Sequence, residues 1–150
     1  MKLVKIKKEI FREYDIRGIY NEELNIDGAY TFGRSFATYI KDKKVIIGYD
    51  NRESSIPLHD ALVAGLMESG ANILDLGLVT TPMYYYAWDL LNIKCGMMIT
   101  ASHNPKDDNG FKFSYNGIHN AFGDSVKELY DIIISKKFVN SNKIGTVETV

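Results

Sequence analysis

Stretches with apolar residues at helical spacing alternate along the chain with short, continuous apolar runs. Between residues 26 and 40, Ile26, Tyr30, Ala37 and Ile40 recur with the period of a helix, so a helix is predicted there. Further helices are predicted from Pro57, from Thr80-Thr81-Pro82 and over residues 122–136. A hydroxyl residue that can cap and a proline suited to the first turn mark the beginning of the second and third helices.

The continuous apolar runs are predicted to be buried strands. They cover residues 44–50, 73–78, 96–100 and 111–114. Helices between strands imply parallel pairing, but only about nine residues separate the last two strands, so these should pair antiparallel through a turn at 108–110. The pattern predicts an α/β fold: a three-layer α/β/α domain with a mixed, mostly parallel sheet of about four main strands, the last one antiparallel.

The length of 150 residues suits one ordinary domain, which is expected to cover residues 1–137. After Lys137 the chain becomes polar. Residues 138–150 have no obvious packing partner in the sequence and are expected to be a linker or the start of an absent second domain.

Charge and composition narrow the classes of function. The formal net charge of −1 argues against nucleic acid as a partner. No apolar stretch approaches the ~20 residues of a membrane-spanning helix, and the start of the chain lacks the apolar core of a signal peptide, so no membrane partner and a cytoplasmic location are expected. The single cysteine, Cys95, cannot form an internal disulfide and is expected to be an inert core thiol.

The segment "MMITASHNPKDDNGFKF", residues 97–113, joins the last two predicted strands and carries the best candidate chemistry. Ser102 should lie just beyond the carboxyl end of a parallel strand, where α/β sheets bind ligands. A serine needs a proton acceptor or a modification to react, and His103 and Lys112 are the nearby titratable groups. Lys112 should point away from Phe111 and Phe113 and reach toward the loop. A lysine, a histidine and loop amides suit a phosphate, although the spacing alone slightly favours a plain turn.

Two arginines at other predicted loop edges leave two interpretations open. Arg17 and Arg52 each suit a bidentate phosphate contact, and each is equally suited to a structural ion pair, with Asp15 and Asp50 respectively. Of two further histidines, His59 is predicted to lie on the surface and His119 in a loop. The chain has no glycine-rich phosphate or dinucleotide fingerprint and no zinc pattern.

Four segments in the right order resemble the α-D-phosphohexomutases. "ITASHNPKDDNGFKF" is similar to their phosphoserine loop, "IFREYDIRG" to their N-terminal segment, "GYDNRESS" to their first strand-to-helix turn and "TTPMYYYA" to the turn entering their third helix. The resemblance covers roughly residues 10–134. Tyr14-Asp15-Ile16-Arg17-Gly18 and Thr100-Ala101-Ser102 look like the phosphomannomutase/phosphoglucomutase branch, whereas phosphoglucosamine mutases typically read Gly-Ile-Arg-Gly and Ser-Ala-Ser.

The resemblance implies a mechanism and a set of roles. Phosphate would move between C1 and C6 of a glucose or mannose phosphate through a phosphoserine at Ser102 and a sugar bisphosphate, with hexose 1,6-bisphosphate as activator. Mg²⁺ would bridge the phosphoserine oxygen. Lys112 would be the general acid/base or charge partner, and His103 and Arg17 would line the phosphate. Tyr14 would touch the substrate and Asn104 would shape the loop.

The resemblance also implies missing parts. Full enzymes of this kind have four domains, and the second carries an Asp-Gly-Asp-x-Asp metal loop that does not occur here. The chain is therefore expected to be the first domain, with domains II–IV of the same polypeptide as its partners and no turnover alone. The alternatives are the first domain of a phosphoglucosamine mutase, a stand-alone phosphosugar-binding module, or a serine hydrolase.

Overall fold

The computed structural model describes all residues, 1–150, as one mixed sheet between two layers of helices. The strands are β1 Ile16–Ile19, β2 Lys44–Tyr49, β3 Asn72–Leu78, β4 Cys95–Ile99, β5 Asp108–Ser114 and β6 Val147–Thr149. The helices are α1 Ile26–Tyr39, α2 Ser55–Glu68, α3 Thr81–Leu90 and α4 Asp124–Ser135, and a short 3₁₀ turn, Lys8–Ile10, precedes β1.

The strand order is β1-β5-β4-β2-β3-β6. Strands β4, β2, β3 and β6 run parallel, and β5 and β1 are antiparallel to their neighbours. The predicted α/β/α class and mixed, mostly parallel sheet are confirmed, including the antiparallel return of β5. The sheet has two more strands than predicted, because β1 and β6 have only four and three residues and are too short to show a clear hydrophobic period.

The two faces of the sheet bury different helices. Helices α1, α2 and α4 cover one face, where Val45 and Ile47 of β2 and Phe111 and Phe113 of β5 are fully buried. Helix α3 covers the other face, against Ile46 of β2 and Met98 of β4. Successive side chains of each strand thus enter opposite cores, which explains why the central strands read as unbroken apolar runs.

Helices α1 and α2 approach closely through two glycines. A Cβ atom at Gly33 would lie 2.4 Å from the carbonyl oxygen of Leu62, and one at Gly65 would lie 2.3 Å from that of Tyr30. Neither distance leaves room for a methyl group. The first turn of α2 lies beside the end of β2, where Ser55 Oγ donates to Asp50 Oδ1.

Two predictions about segments of the chain differ from the structure. Residues 108–110 belong to β5 rather than to a turn, because they pair with β1, and residues 101–107 make the reversal instead. Residues 138–150 do have a packing partner: β6 extends the sheet beside β3, and the Arg34 guanidinium binds Asn140 Oδ1 at 2.9 Å. The domain boundary after Lys137 stays a prediction.

His59 is also placed differently from the sequence expectation. It was predicted on the surface, but it is 8% exposed, because it packs against the Tyr49 ring and lies 3.1 Å from Asp75 Oδ2. Cys95 is fully buried, as predicted, and burial raises the pKa of its thiol. No helix combines the length and the apolar character needed to cross a membrane.

Candidate functional site

Ser102 lies at the carboxyl edge of the sheet, three residues beyond the end of β4. It is solvent-exposed, and its φ of +54° is in the left-handed region. Its backbone N–H donates to Thr100 Oγ1 at 2.9 Å. A non-glycine residue in this conformation costs about 1–2 kcal/mol, so the surrounding contacts must hold the loop in place.

Two clefts meet at Ser102. One, of about 440 Å³, has no hydrophobic lining residue and lies between the β2–α2 turn and the loop residues Asn104, Lys106 and Asp107. The other, of about 520 Å³, is bounded by the end of β3 and the beginning of α3, with Thr80 and Met83 in its wall. Ser102 therefore borders both clefts.

Arg52, in the β2–α2 turn, binds the loop from below. Its Nη2 donates to the carbonyl oxygens of Ser102 at 3.1 Å and Asn104 at 2.8 Å. Its Nη1 donates to those of Pro105 at 2.5 Å and Asp108 at 3.0 Å. The sequence left a phosphate contact and a structural ion pair with Asp50 open for Arg52. The observed contacts favour the structural role, and they include four backbone carbonyls in addition to the aspartate.

Arg17, at the start of β1, holds the loop through a side chain. Its Nη1 donates to Asn104 Oδ1 at 2.7 Å, and its Nη2 lies 2.5 Å from Asp15 Oδ2. Asn104 in turn donates through Nδ2 to Asp108 Oδ2 at 2.7 Å. Arg17 is 8% exposed, and its Nε is buried without a partner. The structure thus brings Arg17 and Asn104 together at the loop.

A buried polar network supports the edge from inside. Asn109 is fully buried and donates from Nδ2 to Ser54 Oγ at 2.8 Å and Ser55 Oγ at 3.0 Å. Ser55 Oγ donates to Asp50 Oδ1 at 2.6 Å, and Asp50 Oδ2 accepts from Arg52 Nε at 3.2 Å. The end of β2, the start of α2 and the loop therefore form one connected unit.

The remaining predicted site residues line neither of the two clefts at Ser102. Lys112 is half-buried opposite Met98, on the face away from Phe111 and Phe113, as the alternation predicted, and its ammonium has no hydrogen-bond partner. His103 is exposed and its side chain makes no hydrogen bond. Tyr14 is 57% exposed, and its carbonyl accepts from Asn120 Nδ2 at 3.3 Å.

Several titratable groups outside the site are structural. Burial raises the pKa of Tyr84, whose hydroxyl donates to Ser114 Oγ at 3.1 Å between α3 and β5. Burial lowers the pKa of Lys43, whose ammonium caps the carbonyls of Ala37 and Ile40 at the end of α1. These contacts anchor helices rather than face Ser102.

The residues of this chain do not fit a complete magnesium site. No group of three or more histidine, cysteine, aspartate or glutamate side chains converges on one point. Asp50, the carboxylate in the network below Ser102, is already engaged by Arg52 and Ser55. The resemblance associates only Ser102 of this chain with the metal. A metal ion bound to a phosphate on Ser102 would need its other ligands from elsewhere.

Sequence reasoning missed two parts of the site. It left Arg52 undecided, and it assigned Asn109 to an ordinary turn. The signal for Asn109 was its place between an apolar strand and a polar loop, but only the pairing of β5 with β1 shows that it is buried. No local pattern indicates that one arginine binds four carbonyls 50 to 56 residues away.

Comparison with known proteins places this geometry in one family. The model of the phosphoglucomutase/phosphomannomutase α/β/α domain I matches residues 8–140. A phosphoglucomutase of Neisseria gonorrhoeae is 40% identical over 97% of this chain, and the match covers 32% of that protein. A phosphomannomutase/phosphoglucomutase of Pseudomonas syringae is 46% identical over 69% of the chain, and the match covers 23% of that protein.

A crystal structure gives the same result for the fold. A phosphoglucomutase/phosphomannomutase family protein of Burkholderia thailandensis superposes with a TM-score of 0.87 at 32% identity, over 96% of this chain and 33% of that one. The chain thus spans about a third of the length of these relatives. The predicted resemblance is confirmed: the chain belongs to the phosphoglucomutase/phosphomannomutase family and corresponds to its α/β/α domain I.

Proposed function

We propose that this chain is the nucleophile-bearing first domain of a hexose-phosphate mutase and that Ser102 carries the transferred phosphoryl group. The observation that carries the proposal is the placement of Ser102: exposed, in a left-handed conformation at the carboxyl edge of the sheet, on a loop bound by two arginines. Relatives named phosphoglucomutase and phosphomannomutase support glucose and mannose phosphates as the substrate class.

The proposed reaction consists of two phosphoryl transfers. In the first, the bond between the phosphorus and Ser102 Oγ breaks, a bond to a hydroxyl oxygen of the sugar monophosphate forms, and Ser102 Oγ gains the proton that the sugar hydroxyl loses. The resulting bisphosphate reorients, and its other phosphate returns to Ser102 by the reverse step. Such a reaction depends on alignment and on stabilising the charge of the transferring group.

The other predicted site residues are proposed to have the roles that the family resemblance implies. Lys112, unpaired and on the strand that returns from the loop, is proposed to move the proton or to balance the phosphate charge. His103, next to Ser102 and exposed, is proposed to line the phosphate. Arg17 is proposed to line it while it holds Asn104, and the exposed Tyr14 side chain is proposed to contact the sugar.

Magnesium would, when bound, neutralise charge on the phosphoserine. This chain offers no converging carboxylates. The magnesium ligands other than the phosphate would therefore come from the two-thirds of a full-length relative that this chain does not match. The chain alone is therefore proposed to fold but not to turn over.

Activity measurements on two proteins test the proposal. One is the 150-residue chain, and the other, here called the assembled protein, joins it to the part of the N. gonorrhoeae phosphoglucomutase that follows the matched region. We expect mutase turnover from the assembled protein, none from the chain alone, and none from the assembled protein with Ser102→Ala. A robust mutase rate from the chain alone, or unchanged turnover after Ser102→Ala, would contradict the proposal.

A further inference from the structure

Arg52 uses its whole hydrogen-bonding capacity inside the protein. A guanidinium has five N–H groups, and those of Arg52 donate to five oxygens: four backbone carbonyls and Asp50 Oδ2. Its side chain is 12% exposed. No N–H group is left for a phosphate, so any effect of Arg52 on a group at Ser102 must pass through the loop.

These contacts fix the direction of the peptide groups around Ser102. In a planar trans peptide the C=O and the following N–H point in opposite directions. Because Arg52 draws the carbonyls of Ser102 and Pro105 toward itself, the N–H groups of His103 and Lys106 point away from it. Neither N–H has a hydrogen-bond partner in the structure. Oriented amides of this kind bind anions.

The same contacts stabilise an unfavourable conformation. The φ of +54° at Ser102 is costly for a residue with a Cβ atom, and the Ser102 carbonyl is one of the four that Arg52 binds. Hydrogen bonds that involve a charged donor are worth more than neutral ones and offset this cost. Without the guanidinium, the loop would lose the contacts that offset the cost of the left-handed conformation at Ser102.

We propose that Arg52 is a positioning residue for phosphoryl transfer, which holds Ser102 in its left-handed conformation and turns the His103 N–H outward to receive the phosphate of Ser102. This inference rests on the proposed function of Ser102. It assigns Arg52 a role distinct from that of Arg17, which binds the loop through the Asn104 side chain. A lysine cannot replace Arg52, because an ammonium has three donors and no planar fork.

Phosphorus-31 NMR of the 150-residue chain with phosphoserine incorporated at position 102 during synthesis tests the inference. The second pKa of a phosphoserine is ordinarily about 6, and donors to the dianion lower it. We expect Arg52→Met and Arg52→Lys both to raise this pKa relative to the parent chain, by about one pH unit for the loss of one charge-assisted hydrogen bond. Arg12→Met is the matched control, because the exposed Arg12 side chain makes no hydrogen bond, and it should leave the pKa unchanged.

Amide hydrogen exchange on the same variants provides the second measurement. The N–H groups of Asn104 and Asp108 bind carbonyls within the loop, at 3.0 and 3.1 Å, and should exchange at least about tenfold faster in both Arg52 variants. Should Arg52→Met fail to fold, Arg52→Lys keeps the charge and still removes the fork.

Two results would overturn the inference. One is a phosphoserine pKa that Arg52→Lys leaves at the parent value, which would mean that charge alone matters. The other is unchanged exchange in the loop of either variant. Both are distinguishable from failure of the proposed function, which would appear as an assembled protein that works without Ser102.

Discussion

Arg17 and Asn104 lie 87 residues apart in the chain and are joined by a 2.7 Å hydrogen bond from Nη1 to Oδ1. The bond links β1, at one edge of the sheet, to the loop that follows β4 near its centre. Because Arg17 is also paired with Asp15, it ties the N-terminal segment that carries Tyr14 to the loop that carries Ser102. The stability of the loop is therefore coupled to that of the N-terminal segment.

Removing the Asn104 side chain should destabilise the protein. Asn104→Ala leaves the buried Arg17 Nη1 without its Asn104 partner and removes the Nδ2 bond to Asp108, for an expected loss of about 1–3 kcal/mol in the free energy of unfolding. Urea denaturation measures it. Asn142→Ala, at an exposed position without hydrogen bonds, should change stability by no more than about 0.5 kcal/mol. Equal stability of the two variants would show that the Arg17–Asn104 bond contributes nothing.

The close contact of α1 with α2 predicts opposite effects of one substitution at two glycines of α1. Gly33→Ala places a methyl group 2.4 Å from the Leu62 carbonyl oxygen and should cost about 1–3 kcal/mol. Gly28→Ala has no contact nearer than 3.4 Å and should be neutral or stabilise the helix by up to about 1 kcal/mol. Thermal denaturation followed by circular dichroism compares them, and a Gly33→Ala variant as stable as Gly28→Ala would refute the close packing.

A carboxylate at position 109 should make stability depend on pH. Asn109→Asp replaces a fully buried donor with an acid beside the Ser54 and Ser55 hydroxyls, and burial should raise the pKa of the new carboxyl in the folded state. The folded state then binds its proton more tightly than the unfolded state, so the variant loses stability as pH rises above about 4. We expect a loss of about 3 kcal/mol or more at pH 7.5 and a smaller loss at pH 5, measured by urea denaturation. Asn142→Asp is the control, and a loss that does not change with pH would contradict the burial.

The thiol of Cys95 should be unreactive in the folded protein. It is fully buried and its pKa is raised by burial, so both access and the thiolate fraction are reduced at pH 8. Labelling by a disulfide reagent should be slow in buffer and should become fast only in denaturant, in step with unfolding. Rapid, stoichiometric labelling under native conditions would show that the core around β4 opens.

The central part of the fold could be predicted from the sequence because the signals there are local. Strands β2 and β4 are continuous apolar runs, and α3 begins at a recognisable cap, Thr80, whose Oγ1 accepts from the Met83 N–H. The edge strands could not be predicted. All three residues of β6 are exposed, and β1 depends on its pairing with β5, so neither strand shows a hydrophobic period of its own.

The candidate site could likewise be predicted only in part. The position of Ser102 beyond a strand, and of Lys112 on the face opposite the phenylalanines, follows from strand order and alternation. The contacts of Arg52 and the burial of His59 depend on residues that are distant in the chain, such as Pro105 and Asp75. Tertiary contacts of this kind leave no spacing pattern in the sequence.

The most direct test of the account is where phosphate is found on the assembled protein. After incubation with glucose 1,6-bisphosphate and removal of free sugar, peptide mapping by mass spectrometry should find one phosphoryl group, on Ser102, and Ser102→Ala should carry none. A protein that interconverts hexose phosphates while Ser102 stays unmodified, or that carries the phosphate on another residue, would contradict the account.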